Sequence, residues 1–379
     1  MSDFIDIVQP SLIYPSIISA GISGALVLTK NLHGRFTMDS QHGVQKFHTV
    51  PTPRIGGIAL FGAFVFAFLV TGNATGGLLG LMIIAGLPAF IAGTIEDLTK
   101  RVGVRERLLA TIFSGFLACL ITGYRLDSID VLGVDNVLAF APVAIAFTAF
   151  AVGGVANAIN IIDGFNGLAG GVLMICFGMM GMIAFQVGDM QLFNLCLLSV
   201  VCVAGFMLLN FPFGKIFMGD GGAYFMGFML AWTAVMLPMR NPQVSPWASI
   251  VACAYPIIET VVSMARRFLH NAKAGEADSA HLHSLIKINI IRRLFPNVPQ
   301  YYRNAMVSPV CWTITLIFST SAFMFYHETK MLMLSLFGSF ILYIVLYHGI
   351  GMLVSSGTDK VNVKKVRGGG NNKSAAFPS

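Results

Sequence analysis

Charged residues are scarce in this sequence. Asp, Glu, Lys and Arg make up 11% of its 379 residues, whereas hydrophobic residues make up 56%. A soluble globular domain carries about 25% charged residues, so the composition excludes an ordinary soluble protein and indicates an integral membrane protein. The formal net charge of +7 needs no nucleic-acid partner, because the basic residues are distributed as membrane topology requires. We therefore expect membrane lipids, and no nucleic acid, among its partners.

Several short motifs are absent as well. The six cysteines lie inside apolar runs and form no CxxC pair, which favours free thiols packed among helices over disulfides or a metal site. No G-x-x-x-x-G-K-[ST] stretch occurs, so the sequence has no P-loop for nucleotide phosphates. The pair of histidines in HLH at 281–283 has no H-E-x-x-H or cysteine partner and fits zinc poorly.

Long apolar runs are what the sequence does have. A helix needs about 20 apolar residues to cross ~30 Å of hydrocarbon, and the runs predict an all-α polytopic membrane protein with about eleven transmembrane helices. They form one domain over residues 1–357, followed by a Gly/Asn/Ser-rich cytoplasmic tail at 358–379 that we expect to be disordered. The predicted spans are 11–30, 55–72, 77–95, 106–123, 138–156, 168–187, 190–211, 221–238, 247–265, 306–326 and 331–353.

The basic residues predict the orientation of these spans. All 24 Lys and Arg residues except Arg125, Arg240 and Lys330 lie in connections on one side or in the tail. Lys and Arg are retained on the cytoplasmic side of a membrane. The N-terminus is therefore predicted to lie outside and the C-terminus in the cytoplasm.

The unusual polar stretches gather on the predicted cytoplasmic face, whereas the outer connections are short or plain. This clustering predicts one active site built from five separate connections. Those connections are 30–54, 94–107, 157–167, 212–222 and 266–304.

Four acids stand at or near the ends of the predicted spans: Glu96, Asp97, Asp163 and Asp220. Carboxylates at membrane depth are costly and commonly mark ion or substrate sites. The alternative is a solvated position at headgroup level. For Glu96, which is followed closely by two basic residues, both interpretations stay open.

The stretch NAINIIDGFNGLAGG at 157–171 carries Asn157, Asn160 and Asp163 at every third position. On a helix this spacing places the three side chains along one stripe that faces the protein interior. Asparagines also join packed membrane helices, so they do not define a site alone. We expect the glycines of this stretch to let the backbone turn and a ligand approach.

The stretch FMGDGG places Asp220 beside glycines at the start of a span. Mg²⁺ takes one or two protein carboxylates and completes its octahedron with waters and phosphate oxygens. Positive charge is expected on the same face from Lys46, His48, Arg54, Arg266, Arg267, His281 and His283. From the residues alone, the sequence predicts a Mg²⁺-dependent reaction of a phosphorylated substrate at the cytoplasmic membrane face.

The five polar stretches resemble, in order, the motifs of the polyprenyl-phosphate N-acetylhexosamine-1-phosphate transferases of glycosyltransferase family 4. The stretches are HTVPTPRIGG, GTIEDLTKR, NAINIIDGFNGLAGG, KIFMGDGGAYFMG and ADSAHLHSLI. The resemblance implies that undecaprenyl phosphate attacks the β-phosphorus of a UDP-amino sugar, giving an undecaprenyl-diphosphate sugar and UMP. It further implies Mg²⁺ as cofactor, with Mn²⁺ as a substitute, and a bacterial inner (cytoplasmic) membrane enzyme whose active site faces the cytoplasm. A homodimer is compatible with it.

The resemblance also implies roles for single residues. Asp220 matches the metal ligand, with Asp163 as a second candidate. The implied catalytic residues are Glu96, Asp97, Asn160, Asp163, His281 and His283. The implied substrate-binding residues are Lys46, His48, Arg54, Asn157, Asn166 and Phe217, the last stacking on uracil.

The sequence departs from the family pattern at three positions: Glu96 replaces an Asp, Ser279 an Arg and Ser284 a His. The HLH stretch fits the amino-sugar branch better than the muramoyl-pentapeptide branch. The sequence therefore favours the first membrane step of O-antigen or other surface polysaccharide synthesis. The alternatives are a phospho-MurNAc-pentapeptide transferase of peptidoglycan synthesis and an ion-coupled transporter. A transporter is expected to show internal repeats and polar residues near mid-membrane in several spans.

Overall fold

The computed structural model describes residues 13–38, 52–71, 77–269 and 280–367, with only the backbone of Thr71 and of residues 353–367. Regular structure in these ranges is helical, apart from one antiparallel bridge between Met38 and Pro53. In chain order the helices are α1 (Ile13–Leu28), α2 (Lys30–Thr37), α3 (Gly56–Thr71), α4 (Leu78–Thr99), α5 (Val104–Thr122), α6 (Val134–Leu138), α7 (Ala141–Ile162), α8 (Leu168–Gln186), α9 (Met190–Asn210), α10 (Gly219–Arg240), α11 (Pro246–Ala252), α12 (Ala254–Leu269), α13 (Leu282–Leu285), a π-helical segment (Ile286–Ile291), α14 (Arg292–Leu294), α15 (Gln300–Ala305), α16 (Val307–Met324) and α17 (Thr329–Arg367).

Each predicted span coincides with a helix or with a bent pair of helices. Within the described part of the chain, 7 helices are long and apolar enough to cross a membrane, or up to 9 if each bent pair is one span. The segment Gly56–Val70 is a shorter apolar helix, and α5 begins with the charged sequence Arg105, Glu106 and Arg107. An all-helical polytopic membrane protein is confirmed, while eleven crossings and the orientation stay predictions.

The span predicted at 247–265 is not one straight helix. It consists of α11 and α12, which meet at Cys253 with a bend of 77°. Pro256 has no N–H to donate to the carbonyl of Ala252, so helical hydrogen bonding cannot run through this point unchanged. A similar bend of 86° separates α1 from α2.

Helix α10 is at the centre of the molecule. In its apolar window 89% of the residues are buried, compared with 17% for Thr329–Met352 of the last helix. It packs against α3, α4 and α7. A Cβ added at Gly57 would lie 2.2 Å from the backbone nitrogen of Gly222, and one added at Gly93 would lie 2.5 Å from the carbonyl carbon of Asp220. These small residues let the helices approach closely, so the start of α10 meets α3 and the last turns of α4.

A polar clamp fixes the other end of α10. Arg240 donates from Nε to Asp189 Oδ2 at 2.7 Å and from an Nη to Asp189 Oδ1 at 2.9 Å. Burial would raise the pKa of the Asp189 carboxyl, but the hydrogen bonds from Arg240 and from the Leu192 N–H hold that pKa below its usual range. Bidentate pairs of this kind fix geometry, so α9 and α10 are tied together at this end.

The last helix extends beyond its predicted span. It continues through Arg367 and overlaps the beginning of the segment predicted as a tail. Residues 368–379 lie outside the described residues.

Candidate active site

Asp97 lies in the last turn of α4 and is 2% exposed. Its Oδ1 accepts from the backbone N–H of Asp220 at 2.9 Å, and its Oδ2 accepts from that of Gly221 at 2.8 Å. The first N–H groups of a helix have no partner within the helix and favour negative charge. Asp97 therefore joins the end of α4 to the start of α10.

Gly219 makes this junction possible. Its φ is +72°, and a Cβ there would lie 2.1 Å from the carbonyl oxygen of Arg54 and 2.6 Å from Asp97 Oδ2. Glycine adopts positive φ without steric cost. A larger residue would displace Asp97 or Arg54 from the site.

Asp220 is 5% exposed and is shared by three side chains. Asn160 donates from Nδ2 to its Oδ1 at 2.9 Å, and an Nη of Arg54 lies 3.6 Å from the same oxygen. Arg107 forms an ion pair with its Oδ2. An ionised carboxylate has about four acceptor positions, so Asp220 keeps capacity for a further ligand.

Asp163 is the residue that directly follows α7, and it is partly exposed. Loss of hydration raises the pKa of this carboxyl to about 6, although Arg54 and a hydrogen bond from the Gly219 N–H oppose the rise. Its negative charge also acts on Asp97. The structure thus places Asp97, Asp163 and Asp220 around Gly219 and Arg54.

The predicted polar stripe of α7 faces α10. Asn160 reaches Asp220 directly, and Asn157 Oδ1 accepts from the Tyr224 hydroxyl at 3.2 Å. Arg107 lies over the Tyr224 ring, 5.9 Å from its centroid, a cation–π arrangement. The helical interpretation of NAINII is confirmed by these contacts.

Glu96 contributes to the turn that follows α4. Its Oε2 accepts from the backbone N–H of Val102 at 2.8 Å, and the residue is half-buried. Its carboxylate therefore supports the connection that leads into α5 and Arg107.

Arg54 is positioned by backbone pairing. Its backbone N–H donates to the carbonyl oxygen of Thr37 at 3.0 Å. The Phe217 N–H donates to the Pro53 carbonyl and the Phe217 carbonyl accepts from the Gly56 N–H, both at 2.9 Å. Phe217 is 5% exposed. The predicted residues Lys46 and His48 lie outside the described residues.

The two predicted histidines meet at a carboxylate that the sequence analysis did not select. His281 Nδ1 lies 2.9 Å from Glu259 Oε1, which also accepts from the Leu282 N–H at 3.1 Å. His283 Nδ1 lies 3.9 Å from Glu259 Oε2, and the two imidazole rings stack 5.1 Å apart. Glu259 is 1% exposed, so a buried carboxylate on α12 holds the HLH segment.

Phe165 links the histidines to the carboxylates. Its ring contacts His283 edge to face at 5.3 Å, and it follows Asp163 by two residues. The described contacts give no direct bond between a histidine and the three aspartates, so the site consists of two clusters that the chain segment 163–165 connects.

Asn166 and its neighbouring glycines make structural contacts. Asn166 Nδ2 donates to the backbone carbonyl oxygens of Pro212 at 2.8 Å and of Tyr301 at 3.3 Å. The expectation that the following glycines give a ligand room is wrong at two positions. A Cβ at Gly170 would meet Met207 at 2.4 Å, and one at Gly171 would meet Trp312 at 2.0 Å, so both serve helix packing.

Sequence reasoning missed Arg107, Tyr224 and Glu259. Glu259 is an acid inside an apolar run, which is itself a signal for function in a membrane protein. Arg107 lies at the edge of a predicted connection. Only the packing of α5 against α4 and α7 brings it to Asp220, and no sequence pattern predicts that contact.

The donor set of the aspartate cluster fits Mg²⁺. In the described part of the chain no three His, Cys, Asp or Glu side chains form a metal-binding group, but Mg²⁺ requires only one or two carboxylates. Asp220 keeps acceptor positions, Asp163 is close by, and Asn160 retains its amide oxygen because its Nδ2 is the bonded atom. These are all oxygen donors, which Mg²⁺ prefers.

Comparison with known proteins gives consistent matches. The profile of glycosyl transferase family 4 matches residues 78–238. An undecaprenyl-phosphate alpha-N-acetylglucosaminyl 1-phosphate transferase of Yersinia pestis is 29% identical over 247 residues, 64% of this chain and 67% of the relative. A probable undecaprenyl-phosphate N-acetylglucosaminyl 1-phosphate transferase of Bacillus subtilis is 27% identical over 322 residues, 84% of each chain. The Escherichia coli K12 counterpart of the first is 26% identical over 247 residues.

Proposed function

Because the profile of glycosyl transferase family 4 matches residues 78–238, we propose that the chain is a member of this family and transfers an N-acetylhexosamine 1-phosphate from a UDP-sugar to undecaprenyl phosphate. An oxygen of the lipid phosphate bonds to the β-phosphorus, the bond from that phosphorus to the bridging oxygen breaks, and UMP leaves. The observation that carries this proposal is the meeting of three aspartates with Arg54 and Arg107 at the start of α10.

The charge pattern of the site suits two phosphorylated substrates. Arg54 and Arg107 supply permanent positive charge, and the guanidinium fork matches phosphate oxygens. His281 and His283, held by Glu259, supply further donors beside Phe165. We assign the arginines and histidines to binding the diphosphate and the lipid phosphate.

Asp220, Asp163 and Asn160 are the residues that would hold Mg²⁺. The chemistry that Mg²⁺ would supply there is electrostatic compensation of the charge that develops on leaving UMP. The ion pair with Arg107 holds the Asp220 carboxylate in place and would orient it toward such a cation.

We assign Asp97 to positioning and Asp163 to contact with substrate. Both oxygens of Asp97 already accept hydrogen bonds from α10, whereas Asp163 is partly exposed. The second pKa of a phosphate monoester is ~6, so the acceptor phosphate is largely dianionic at neutral pH. Correct placement can therefore replace a strong general base.

The proposal includes the cellular setting. The protein is a multi-pass membrane protein, and we place it in the bacterial inner membrane with this site facing the cytoplasm. The basic residues of the connections that form the site support this orientation. We propose that the product starts an O-antigen or another surface polysaccharide.

The test is UMP release by the purified protein in lipid nanodiscs. Undecaprenyl phosphate and Mg²⁺ are supplied with a panel of UDP-N-acetylhexosamines and with UDP-MurNAc-pentapeptide. We expect UMP with at least one N-acetylhexosamine, loss of UMP after EDTA, and recovery with Mg²⁺ or Mn²⁺. UMP from the pentapeptide substrate alone would instead identify the peptidoglycan reaction.

Asp220→Asn tests the role of the aspartate cluster in the same assay. We expect kcat to fall roughly 100-fold or more, the scale for loss of one electrostatic contact to a transition state. Asp127→Asn is the matched control, because Asp127 is exposed at the opposite ends of the helices, and it should keep full activity. A folded Asp220→Asn variant with wild-type kcat would contradict the assignment.

A further inference from the structure

A second group of cations surrounds a cavity behind the histidine cluster. The cavity has a volume of about 70 Å³ and is lined by Lys287, Arg292, Gln300 and Arg303. A cavity volume of about 10–15 Å³ is enough for one water molecule, so this cavity has room for a group of several heavy atoms. Among the described residues its lining contains no carboxylate.

The lining residues form a gradient from buried to exposed. Lys287 is 3% exposed, Gln300 and Arg303 are half-buried, and Arg292 is exposed. The Lys287 ammonium also lies 5.3 Å from the centroid of the Phe165 ring. The cavity therefore has a buried basic amine at its base and an arginine at its open rim.

The positive charges in this cavity act against one another. Burial, together with the nearby charges of Arg292 and Arg303, lowers the pKa of Lys287 to about 6. In addition, Arg303 Nε is buried and has no hydrogen-bond partner in the described structure. A buried donor without an acceptor costs about 1–3 kcal/mol. An anion in the cavity would offset the repulsion between the basic groups and would accept a hydrogen bond from Arg303 Nε.

We propose that this cavity is a binding site for a phosphate group, separate from the aspartate cluster. Two guanidinium groups, an ammonium and an amide offer many N–H donors, and arginine binds phosphate through two parallel hydrogen bonds. The phosphate group belongs either to a soluble phosphate or to the headgroup of an anionic lipid, since Arg292 lies at an exposed rim. This inference does not depend on the proposed transferase reaction.

The site is tested by ligand-induced thermal stabilisation of the full-length protein in a neutral detergent. Sodium phosphate is titrated against sodium chloride at equal ionic strength. The variants are Lys287→Met and Arg303→Gln, each of which removes one basic group from the lining. The control is Arg293→Gln, which removes the same charge from the next residue of α14, outside the cavity lining.

We expect phosphate, but not chloride, to stabilise the wild type and Arg293→Gln. In Lys287→Met and Arg303→Gln the apparent Kd for phosphate should rise at least tenfold. In the lipid arm, native mass spectrometry counts phosphatidylglycerol molecules that remain on each variant. Selective loss of that lipid from the two cavity variants would identify a headgroup as the source of the phosphate.

Equal phosphate stabilisation and equal lipid retention in all four proteins would overturn the proposal. A cavity variant that does not fold is replaced by Gln300→Leu, which removes an uncharged donor from the same lining. UMP release plays no part in these measurements, so the outcome is independent of the transferase test.

Discussion

The carboxylate of Glu259 contacts both histidines of the HLH motif. It is 2.9 Å from His281 Nδ1 and 3.9 Å from His283 Nδ1, inside a bent helix of the membrane domain. Removing one partner of a buried charged pair leaves the other without compensation. The histidines of this chain therefore depend on a residue that is distant from them in sequence.

We predict that Glu259→Ala reduces kcat at least tenfold with a smaller change in KM for the UDP-sugar. The histidines lose their anchor, whereas Arg54, Arg107 and the aspartates stay in place. The measurement is steady-state UMP release, with thermal unfolding recorded on the same samples. Because Glu259→Gln keeps an acceptor oxygen for the Leu282 N–H, we expect it to recover part of the lost kcat.

A purely structural role for Glu259 would lower the melting temperature of both variants and leave kcat of the folded fraction unchanged. That result would contradict positioning of His281. Glu328→Gln serves as the control, because Glu328 is exposed beside His327, and it should alter neither quantity.

At the scale of helices, the site depends on how closely α10 approaches its neighbours. The backbone N–H groups at the start of α10 donate hydrogen bonds to Asp97. This arrangement exists only if α3 and α4 pack directly against the α10 backbone. Gly57 and Gly93 permit that approach, since a Cβ at either would overlap backbone atoms of α10. Backbone atoms cannot move aside as a flexible side chain can.

We predict that Gly57→Ala destabilises the protein by about 1–3 kcal/mol, the usual cost of overpacking, and lowers UMP release by displacing Asp220. Thermal unfolding in detergent measures the first effect. Gly178→Ala on α8 is the matched control, because a Cβ there meets nothing within 4 Å. It should stabilise the helix by about 0.5–1 kcal/mol. Equal melting temperatures for the two variants would refute the close-approach explanation.

For the whole molecule, the sequence predicted the helices well because each needs only a long apolar run. Both Asn157 and Asn160 lie on α7 and contact α10, as the three-residue spacing indicated. The break at Cys253 was missed because Pro256 lies inside a run whose composition is uniformly apolar. Arg107 at Asp220 was missed for a different reason: the contact follows from the packing of α5, and packing is not encoded in a local pattern.

The predicted orientation of the protein in the membrane can be tested by labelling introduced cysteines, because the native cysteines are buried. All six cysteines are buried, so a membrane-impermeant maleimide should label the wild type weakly. Lys330 and Arg101 are both exposed and lie on opposite predicted sides. We expect Lys330→Cys to be labelled in cells whose outer barrier alone is permeabilised, and Arg101→Cys to be labelled only after the inner membrane is opened.

Since Arg101 lies in the connection between Asp97 and Arg107, labelling of Arg101→Cys from outside would place the aspartate cluster on the wrong side for a cytosolic UDP-sugar. It would thereby contradict both the topology and the proposed reaction.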